Sequence, residues 1–468
     1  MDAAWIRLLH SGDLDEARRS AATEPELVAV VDAAAPLYGG PEPPPRDWTD
    51  PAARAQVDFA RAVLHLVSLG LRPAPSPPGD TAWSRAAAAL VAFASGRPVT
   101  APVELSADDP ALRVTQMALR TLAALSAGDP RDATLHARRA SRAAYAEGLR
   151  GLEYLAYWCL ARTRREGQNL YAATRILGAL ARAAPSPWWP LIDWELVLAG
   201  AGPPAADRAL TEPAATWLDA VADAEGDALR RLRARSLPAG FARERDLLCE
   251  GMDGVSELAD RGRVAGALYE RAEQLGVTPA TWALTPGAPP RLRWCVGADA
   301  AADRRLFDEG ERVQALAACL AEAGEGGAPR DDLFRAVYGF DFDAALHDGL
   351  FRVLLHRTRG ALEGVAEVER DAERLRLRVD APVELPEPRS LPPFGDRLLR
   401  TIAATPGMSA KELAERVGDK MRTVQRTLRT LVETGTCRAE KRGRQTLYTV
   451  EDTTFSEPTH FGGGARGG

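Results

Sequence analysis

The side chains in this sequence best suited to bind a partner are cations and amides near the C-terminus. Arg422, Gln425, Arg426 and Arg429 recur at intervals of three and four residues. Lys420 precedes this set, and Thr423 lies within it. Between Met421 and Thr430 the sequence has three arginines and no acid. Arginine donates hydrogen bonds to guanine or phosphate, and glutamine pairs with adenine, so this segment is suited to contact a polynucleotide.

Charge distinguishes this segment from the rest of the chain. The 468 residues carry a net charge of −6, yet residues 397–450 hold all three lysines, nine arginines and only five acids, a net of +7. A small basic module on an acidic chain is typical of a protein that binds a polyanion. The codon bias of a GC-rich genome is another explanation for so many arginines, but a generic surface would mix them with acids.

Three short helices are predicted to position these side chains. The first covers 396–404 and ends at a Thr-Pro-Gly turn. Ser409 stands three residues before Glu412, the spacing of a capping box, which predicts a second helix over 410–417. A Gly-Asp turn follows, and the third helix runs over about 420–433, before a glycine.

The third helix is predicted to be amphipathic. Its apolar residues fall at intervals of three, four and three, which places them on one stripe: Met421, Val424, Leu428 and Leu431. The cationic residues then lie on the solvent side. We interpret this helix as one that reads the edges of bases and contacts phosphates.

A basic hairpin is predicted directly after this helix. Strands over 437–440 and 445–450 flank a turn that holds three cations and a glycine: Lys441, Arg442, Gly443 and Arg444. Glycine allows the positive φ that a tight hairpin needs, and cations at the tip can straddle a phosphate backbone or enter a minor groove.

Together these parts resemble a known family of domains. Residues 397–452, with the phrase SAKELAERVGDKMRTVQRTLRTLVETGTCRAEKRGRQTLYTV, are similar to the winged helix-turn-helix of MarR-, IclR- and ArsR-type regulators. The resemblance implies a bacterial transcription regulator that binds double-stranded DNA, with the third helix in the major groove and the hairpin as the wing. A homodimer is expected, because one module of about 55 residues rarely reaches useful specificity alone.

A second module of the same kind is predicted upstream, over 240–385. A strand at 291–296 is followed by helices over 311–323, 330–338 and 344–360 and by two strands around a turn at 371–373. The run RDDLFRAVYGFDFDAALHDGLFRVLLHRTRGAL resembles the DNA-binding domains of OmpR/PhoB-type and SARP-type regulators at these positions: Leu333, Val337, Tyr338, Gly339, Val353, His356 and Arg357. SARP-type regulators place this module at the N-terminus, so the domain order departs from theirs.

The charge of this upstream module leaves its role open. Residues 291–385 contain 14 arginines and 19 acids, a net of −5, which would repel a phosphate backbone. Arg352, Arg357 and Arg359 could still make secondary DNA contacts. A dimerisation or protein-contact role is the other interpretation.

Residues 1–235 are rich in alanine and leucine, with helical periodicity and short turns. A turn glycine is followed five residues later by an alanine at Gly12, Gly128 and Gly167, as in stacked helical hairpins. This pattern resembles a degenerate tetratricopeptide-like array that binds a signal, a protein or a small-molecule ligand, although a non-repetitive helical domain fits too. The tryptophans Trp188, Trp189 and Trp194 could line such a groove or belong to the core.

Two further segments are predicted to lack a core of their own. The proline-rich stretch 381–395, which includes the linker proposed at 386–396, favours an extended polyproline II spacer. Residues 453–468 are expected to form a disordered tail.

Motifs for catalysis are not evident. The sequence has no glycine-rich phosphate loop, since no lysine precedes Lys411, and it has no G-x-S-x-G, H-E-x-x-H or C-x-x-C motif. Its five cysteines are scattered, which argues against a disulfide framework or a thiolate zinc site. We expect no enzyme activity, cofactor or metal. No leader or apolar run of 18 residues occurs, so we expect no membrane partner and a cytoplasmic location.

The fold class expected from these patterns is mainly α. A helical-hairpin domain is followed by two winged helix-turn-helix modules of α+β type. The expected function is DNA-binding transcription regulation controlled by the N-terminal helices. A non-enzymatic adaptor, whose repeats and winged helices dock on proteins, is the alternative.

Overall fold

A computed structural model describes most of the chain, with gaps. It covers residues 6, 9–44, 46–76, 79–100, 108–201, 208–222, 227–253, 261–275, 277–296, 303, 306, 309–371, 373–443 and 445–450. The protein is mainly helical, as predicted, with small three-stranded sheets in its C-terminal part. It divides into two compact units, residues 1–245 with 393–468, and residues 246–392. The predicted tail, 453–468, lies outside the described residues.

The N-terminal part of the first unit is built from helices. In chain order these are Leu14–Ser20 (α1), Pro25–Ala34 (α2), Pro51–Val67 (α3), Ala82–Ala94 (α4), Pro110–Ser126 (α5), Pro130–Ala146 (α6), Arg150–Glu166 (α7), Leu170–Ala183 (α8), Trp189–Leu198 (α9), Ala214–Ala222 (α10), Asp227–Ala234 (α11) and Ala239–Asp253 (α12), in which the boundary between units falls. Three of them begin with Asp-Pro, at Asp50, Asp109 and Asp129. In each, the carboxylate accepts from a free amide of the first turn, and the proline needs no hydrogen-bond acceptor there.

Small residues let these helices pack closely. Helices α5 to α8 each pack against the next. The face of α6 consists of Ala133, Ala137, Ala140 and Ala144, all fully buried. The predicted glycine-to-alanine spacing holds at Gly128 and Ala133, but the third instance is shifted by one residue. There Gln168 takes the positive φ, 61°, and Ala173 is the alanine that is fully buried.

The second unit combines helices with two sheets. Its elements are Arg261–Leu275 (α13), Thr278–Leu284 (β1), Arg291–Val296 (β2), Glu311–Ala323 (α14), Ala328–Pro329 (β3), Arg330–Tyr338 (α15), Ala344–Leu362 (α16), Ala366–Asp371 (β4), Arg374–Val379 (β5) and Val383–Pro386 (β6). The strand orders are β2-β1-β6 and β3-β5-β4, with antiparallel neighbours. The predicted strand 291–296 and helices 311–323 and 330–338 are confirmed at those residues.

The proline-rich segment is not the spacer that was predicted. Val383–Pro386 is a strand that pairs with β1, and Pro388–Ser390 forms a 3₁₀ turn. Val383 and Leu385 bury their side chains completely, which offsets the loss of amide donors at the prolines. Glu387 ties the segment down further, because its carboxylate accepts from the indole of Trp282 at 2.8 Å.

The C-terminal segment of the first unit carries the basic residues. Its elements are Phe394–Ala404 (α17), Met408–Ser409 (β7), Ala410–Val417 (α18), Met421–Glu433 (α19), Cys437–Arg442 (β8) and Gln445–Val450 (β9), with strand order β7-β9-β8. The capping box of Ser409 and Glu412 is confirmed. The helices and hairpin enclose a small core that includes Leu398, Ile402, Leu413, Val424 and Leu428.

Candidate nucleic-acid interface

Helix α19 is held in place by one apolar side. Val424 and Leu428 are completely buried, and Leu431 packs against the same core. Met421, the fourth member of the predicted stripe, lies at the surface with 36% of its area exposed. The turn before the helix uses Gly418 at φ +67°, which a residue with a side chain would seldom adopt.

The other side of α19 is cationic and faces solvent. Arg422, Gln425, Arg426 and Arg429 are exposed, as is Lys420 at the start of the helix, whereas Thr423 is half-buried. Within the described part of the chain, no carboxylate lies within ion-pairing distance of these three guanidinium groups. The helix therefore presents three uncompensated positive charges, with an amide between them.

The hairpin adds cations next to this helix. Lys441 and Arg442 are exposed at the end of β8, and Gly443 turns the chain at φ +62°. Arg442 lies 3.5 Å from the carboxylate of Glu440, a contact between solvent-exposed groups that is worth little. Arg444 lies outside the described residues. Arg438, which the sequence analysis did not single out, is also exposed on β8.

The secondary arginines of the second unit are engaged with the chain itself. Arg352 donates to Asp348 at 2.9 Å, and Arg359 donates to the carbonyl oxygen of Val368 at 3.0 Å. Arg357 lies 3.5 Å from the carboxylate of Glu309. The hydrogen bond from Arg352 lowers the pKa of the Asp348 carboxyl below its ordinary value. These arginines differ from those of α19, because each already has a partner.

The solvent side of α16 is apolar between these arginines. Leu346, Leu350 and Val353 are 74%, 43% and 61% exposed. Their spacing of four and three residues places them on one stripe of the helix. This surface is poorly suited to phosphates and better suited to a protein partner.

The basic segment is attached to the N-terminal helices of its own unit. Tyr171 of α8 belongs to the same small core as Leu398 and Val424. Asp396 accepts a hydrogen bond from the Tyr171 amide at 2.8 Å and so caps the start of α8. Arg400 donates to the carbonyl oxygen of Gly200 at 2.7 Å. Nothing local in the sequence signals these contacts, since they join residues about 200 positions apart.

Two of the three tryptophans considered for a ligand groove, Trp188 and Trp194, belong to the core, whereas Trp189 is half-buried. Trp188 is 2% exposed and donates to the carbonyl oxygen of Leu37, and Trp194 is fully buried and donates to Glu244. A surface depression of about 680 Å³ lies elsewhere in the unit, beside Tyr38, Arg150 and Tyr154. An enclosed cavity of about 20 Å³ beside His10 has room for roughly one water molecule.

Other kinds of site find no support in the part of the chain that the structure describes. No group of three or more histidine, cysteine, aspartate or glutamate side chains there is arranged to hold a metal ion. Among the same residues, no helix combines the length and the apolar character needed to cross a bilayer.

Comparison with known proteins covers only the basic segment. Residues 396–453 match the model of a family described as HVO_A0114, a description that states no activity. No curated protein and no solved structure matches the chain.

Proposed function

We propose that this protein is a transcription regulator that binds duplex DNA through a winged helix-turn-helix formed by residues 397–450. Helix α19 lies in the major groove, and the β8–β9 hairpin is the wing that holds the adjacent backbone. The observation that carries the proposal is the exposed face of α19, on which Arg422, Arg426 and Arg429 have no acidic partner among the described residues. Cations left uncompensated on a surface gain most from a polyanion, because binding releases the counterions of the phosphates.

The order and spacing of the elements support the same proposal. Helix α18, a turn of three residues and helix α19 follow one another, and the sheet β7-β9-β8 closes the core behind them. A helix about 13 residues long, exposed along one side, is able to enter a groove about 12 Å wide. Gln425 lies among the arginines of that side and supplies the amide that pairs with adenine.

The N-terminal helices are in a position to control this module. Tyr171 contributes to its core and Asp396 caps α8, so a ligand or protein that shifts α8 would shift the attachment of the module. We propose that the protein acts in the cytoplasm and binds DNA as a homodimer. The second unit is proposed to have the same winged-helix arrangement, with a role in protein contact, because its arginines are engaged and its exposed helix face is apolar.

The test is the salt dependence of DNA binding in a triple variant, R422A/R426A/R429A. The chain offers a matched control in Arg138, Arg139 and Arg142 of α6, which are likewise exposed arginines on one helix of the first unit. The control triple removes the same charge from a surface that the proposal does not use. Binding to duplex DNA selected from a random pool is measured by mobility shift between roughly 0.05 and 0.2 M salt.

We expect the α19 triple to weaken binding by roughly 1–3 kcal/mol for each arginine that reads a base. Its salt slope should fall by about 0.9 for each arginine that contacts a phosphate. The control triple should leave both quantities close to those of the wild type. Equal effects of the two triples would overturn the proposal. If the wild-type chain is not retained on duplex DNA or heparin and instead co-purifies with a stoichiometric protein, the adaptor function is favoured.

A further inference from the structure

The enclosed cavity of the first unit brings two buried polar side chains to an otherwise mostly apolar wall. His10 and Gln56 both line this cavity, and they are only 7% and 1% exposed. Within the described part of the chain, Nε2 of His10 and both amide atoms of Gln56 have no hydrogen-bond partner. Buried polar atoms are nearly always hydrogen-bonded, so three such atoms beside one cavity call for a ligand that pairs with them.

The side chains around His10 cannot supply these partners. The imidazole stacks on the indole of Trp83, with 5.1 Å between the ring centroids, and packs at a steep angle to the ring of Phe59 at 5.9 Å. Two other polar groups of the cavity wall, the hydroxyl of Tyr38 and the indole N–H of Trp188, already donate to backbone carbonyl oxygens. The stacked rings also fix the orientation of the imidazole within the core.

We infer that this cavity is a binding site for a single water molecule, which bridges His10 and Gln56. Its volume of about 20 Å³ exceeds the roughly 10–15 Å³ that one water needs and leaves no room for a larger molecule. An ion is excluded as the ligand, because burying a charge among these rings without an opposite charge would be very costly.

The protonation state of His10 suits a neutral ligand that can both donate and accept. Burial lowers the pKa of His10 to about 4, although the neighbouring amide of Gln56 and the charge of Asp109 oppose the shift. At neutral pH the imidazole is therefore uncharged, with one donor nitrogen and one acceptor nitrogen. The amide of Gln56 offers donors and an acceptor as well. Water pairs with both groups whichever nitrogen of His10 carries the proton.

Tyr38 separates this site from the surface. Its ring lines both the cavity and the depression beside Arg150, so it forms part of the wall between them. Gly151 makes room for the ring, because a Cβ at that position would collide with the Tyr38 hydroxyl. Behind this wall the water exchanges slowly with solvent and connects the segment before α1 to α3. The inference concerns the interior of the first unit and does not depend on the proposed DNA binding.

The first test uses the full-length wild-type chain with isotope-labelled histidine and measures magnetisation transfer from water to the imidazoles by NMR. His65 is the control within the same spectrum, since it is also 7% exposed but its Nδ1 lies 2.7 Å from the carbonyl oxygen of Arg72. The variant H10F assigns the His10 signal. We expect a cross-peak from a long-lived water at His10 and none at His65. A spectrum without a water cross-peak at His10 would overturn the inference.

The second test counts long-lived waters by the relaxation dispersion of water oxygen-17. H10F/Q56M removes the polar atoms of the site and keeps side chains of similar size, so we expect it to hold one such water fewer than the wild type. T121V is the matched control, because the hydroxyl of Thr121 is buried but donates to the carbonyl oxygen of Met117 at 3.1 Å. Its count should equal that of the wild type. Equal counts in the wild type and H10F/Q56M would contradict the assignment of a water to this cavity.

Discussion

Asp396 keeps a carboxyl group in surroundings that penalise its charge. Only 6% of the residue is exposed. Burial raises the pKa of Asp396 to about 6, although the amide of Tyr171 and the charge of Arg400 oppose the shift. One carboxylate oxygen accepts from the Tyr171 amide, and the other has no hydrogen-bond partner among the described residues. One of the contacts that attach the basic segment to α8 is therefore made by a carboxyl whose charged form is penalised by burial.

The pH dependence of stability should reveal this carboxyl. Its pKa is higher in the folded chain than its ordinary value of 3.8, so the folded state binds more protons between those limits. Stability from this group is then fully present below pH ~4 and is lost as pH rises through about 6. The loss is on the order of 2–3 kcal/mol. The variant D396N retains an acceptor for the Tyr171 amide but cannot ionise.

The measurement is the unfolding midpoint of wild type and D396N at pH 4.5, 6.0 and 7.5. We expect the difference between the unfolding midpoints of the two proteins to change with pH. As pH rises, the midpoint of the wild type should fall relative to that of D396N. Parallel profiles would show that Asp396 does not titrate in this range.

At the scale of elements, α18 depends on its first turn. The hydroxyl of Ser409 accepts from the amide of Glu412, and the Glu412 carboxylate accepts from the amide of Ser409 at 2.7 Å. With only eight residues, this helix has few hydrogen bonds of its own. Its caps therefore contribute a large share of its local stability, and α18 in turn sets the position of the turn before α19.

We predict that S409A lowers the free energy of unfolding of the basic segment by about 1 kcal/mol. E412A should lower this free energy of unfolding by less than S409A does. The double variant should lower it by less than the sum of the two single variants, because either substitution alone already breaks the reciprocal pair of hydrogen bonds. Hydrogen exchange of α17 to α19, followed by mass spectrometry, measures the effect locally. T401A is a control of similar size on α17, since the Thr401 hydroxyl donates only to its own helix. Strictly additive effects of S409A and E412A would contradict the coupling.

Elements with strong local signals could be predicted from the sequence. The capping box, the apolar stripe of α19 and the Lys441–Gly443 turn predicted the helices and the hairpin of the basic segment, and all of these are found at or within two residues of the expected positions. The exposure of Arg422, Arg426 and Arg429 followed from the same stripe. Helical periodicity predicts which side of a helix is buried without any distant contact, and here it holds for Val424, Leu428 and Leu431 but not for Met421, which lies at the surface.

Pairing between distant segments could not be predicted in this way. Strand β1 was missed, and β6 was expected to be a spacer, because the two stabilise each other across about 100 residues. The attachment of α17 to α8 was missed for the same reason. The Asp396 carboxylate and the Tyr171 amide that donates to it belong to no periodic pattern in the sequence. Only the folded chain brings them together.

At the scale of the whole molecule, a buried group of ions fixes the helices of the first unit. Arg162 and Arg165 of α7 contact Glu195 of α9 and Glu244 of α12, with distances of 2.7 to 2.9 Å. All four side chains are at most 2% exposed. Burial alone would raise the pKa of Glu195, but the adjacent Arg165 and Arg162 outweigh it and hold this pKa below its ordinary value. The indoles of Trp158 and Trp194 complete the hydrogen bonding of the two carboxylates.

Removing one charge from this group should destabilise the unit much more than its hydrogen bonds alone suggest. E195Q keeps the shape of the side chain but leaves two buried guanidinium groups with too little negative charge. Breaking a buried ion pair in this way costs about 3–5 kcal/mol, whereas replacing an entire pair by apolar residues can be neutral. Glu166 contacts the same arginines but is 18% exposed, so E166Q is the matched control and should cost about 1 kcal/mol or less. Denaturant unfolding followed by tryptophan fluorescence measures both variants, since Trp158 and Trp194 lie against the ions. If the free energy of unfolding of E195Q is within about 1 kcal/mol of the wild-type value, the buried ions do not hold α7, α9 and α12 together. The packing of the apolar faces of these helices would then be what holds them.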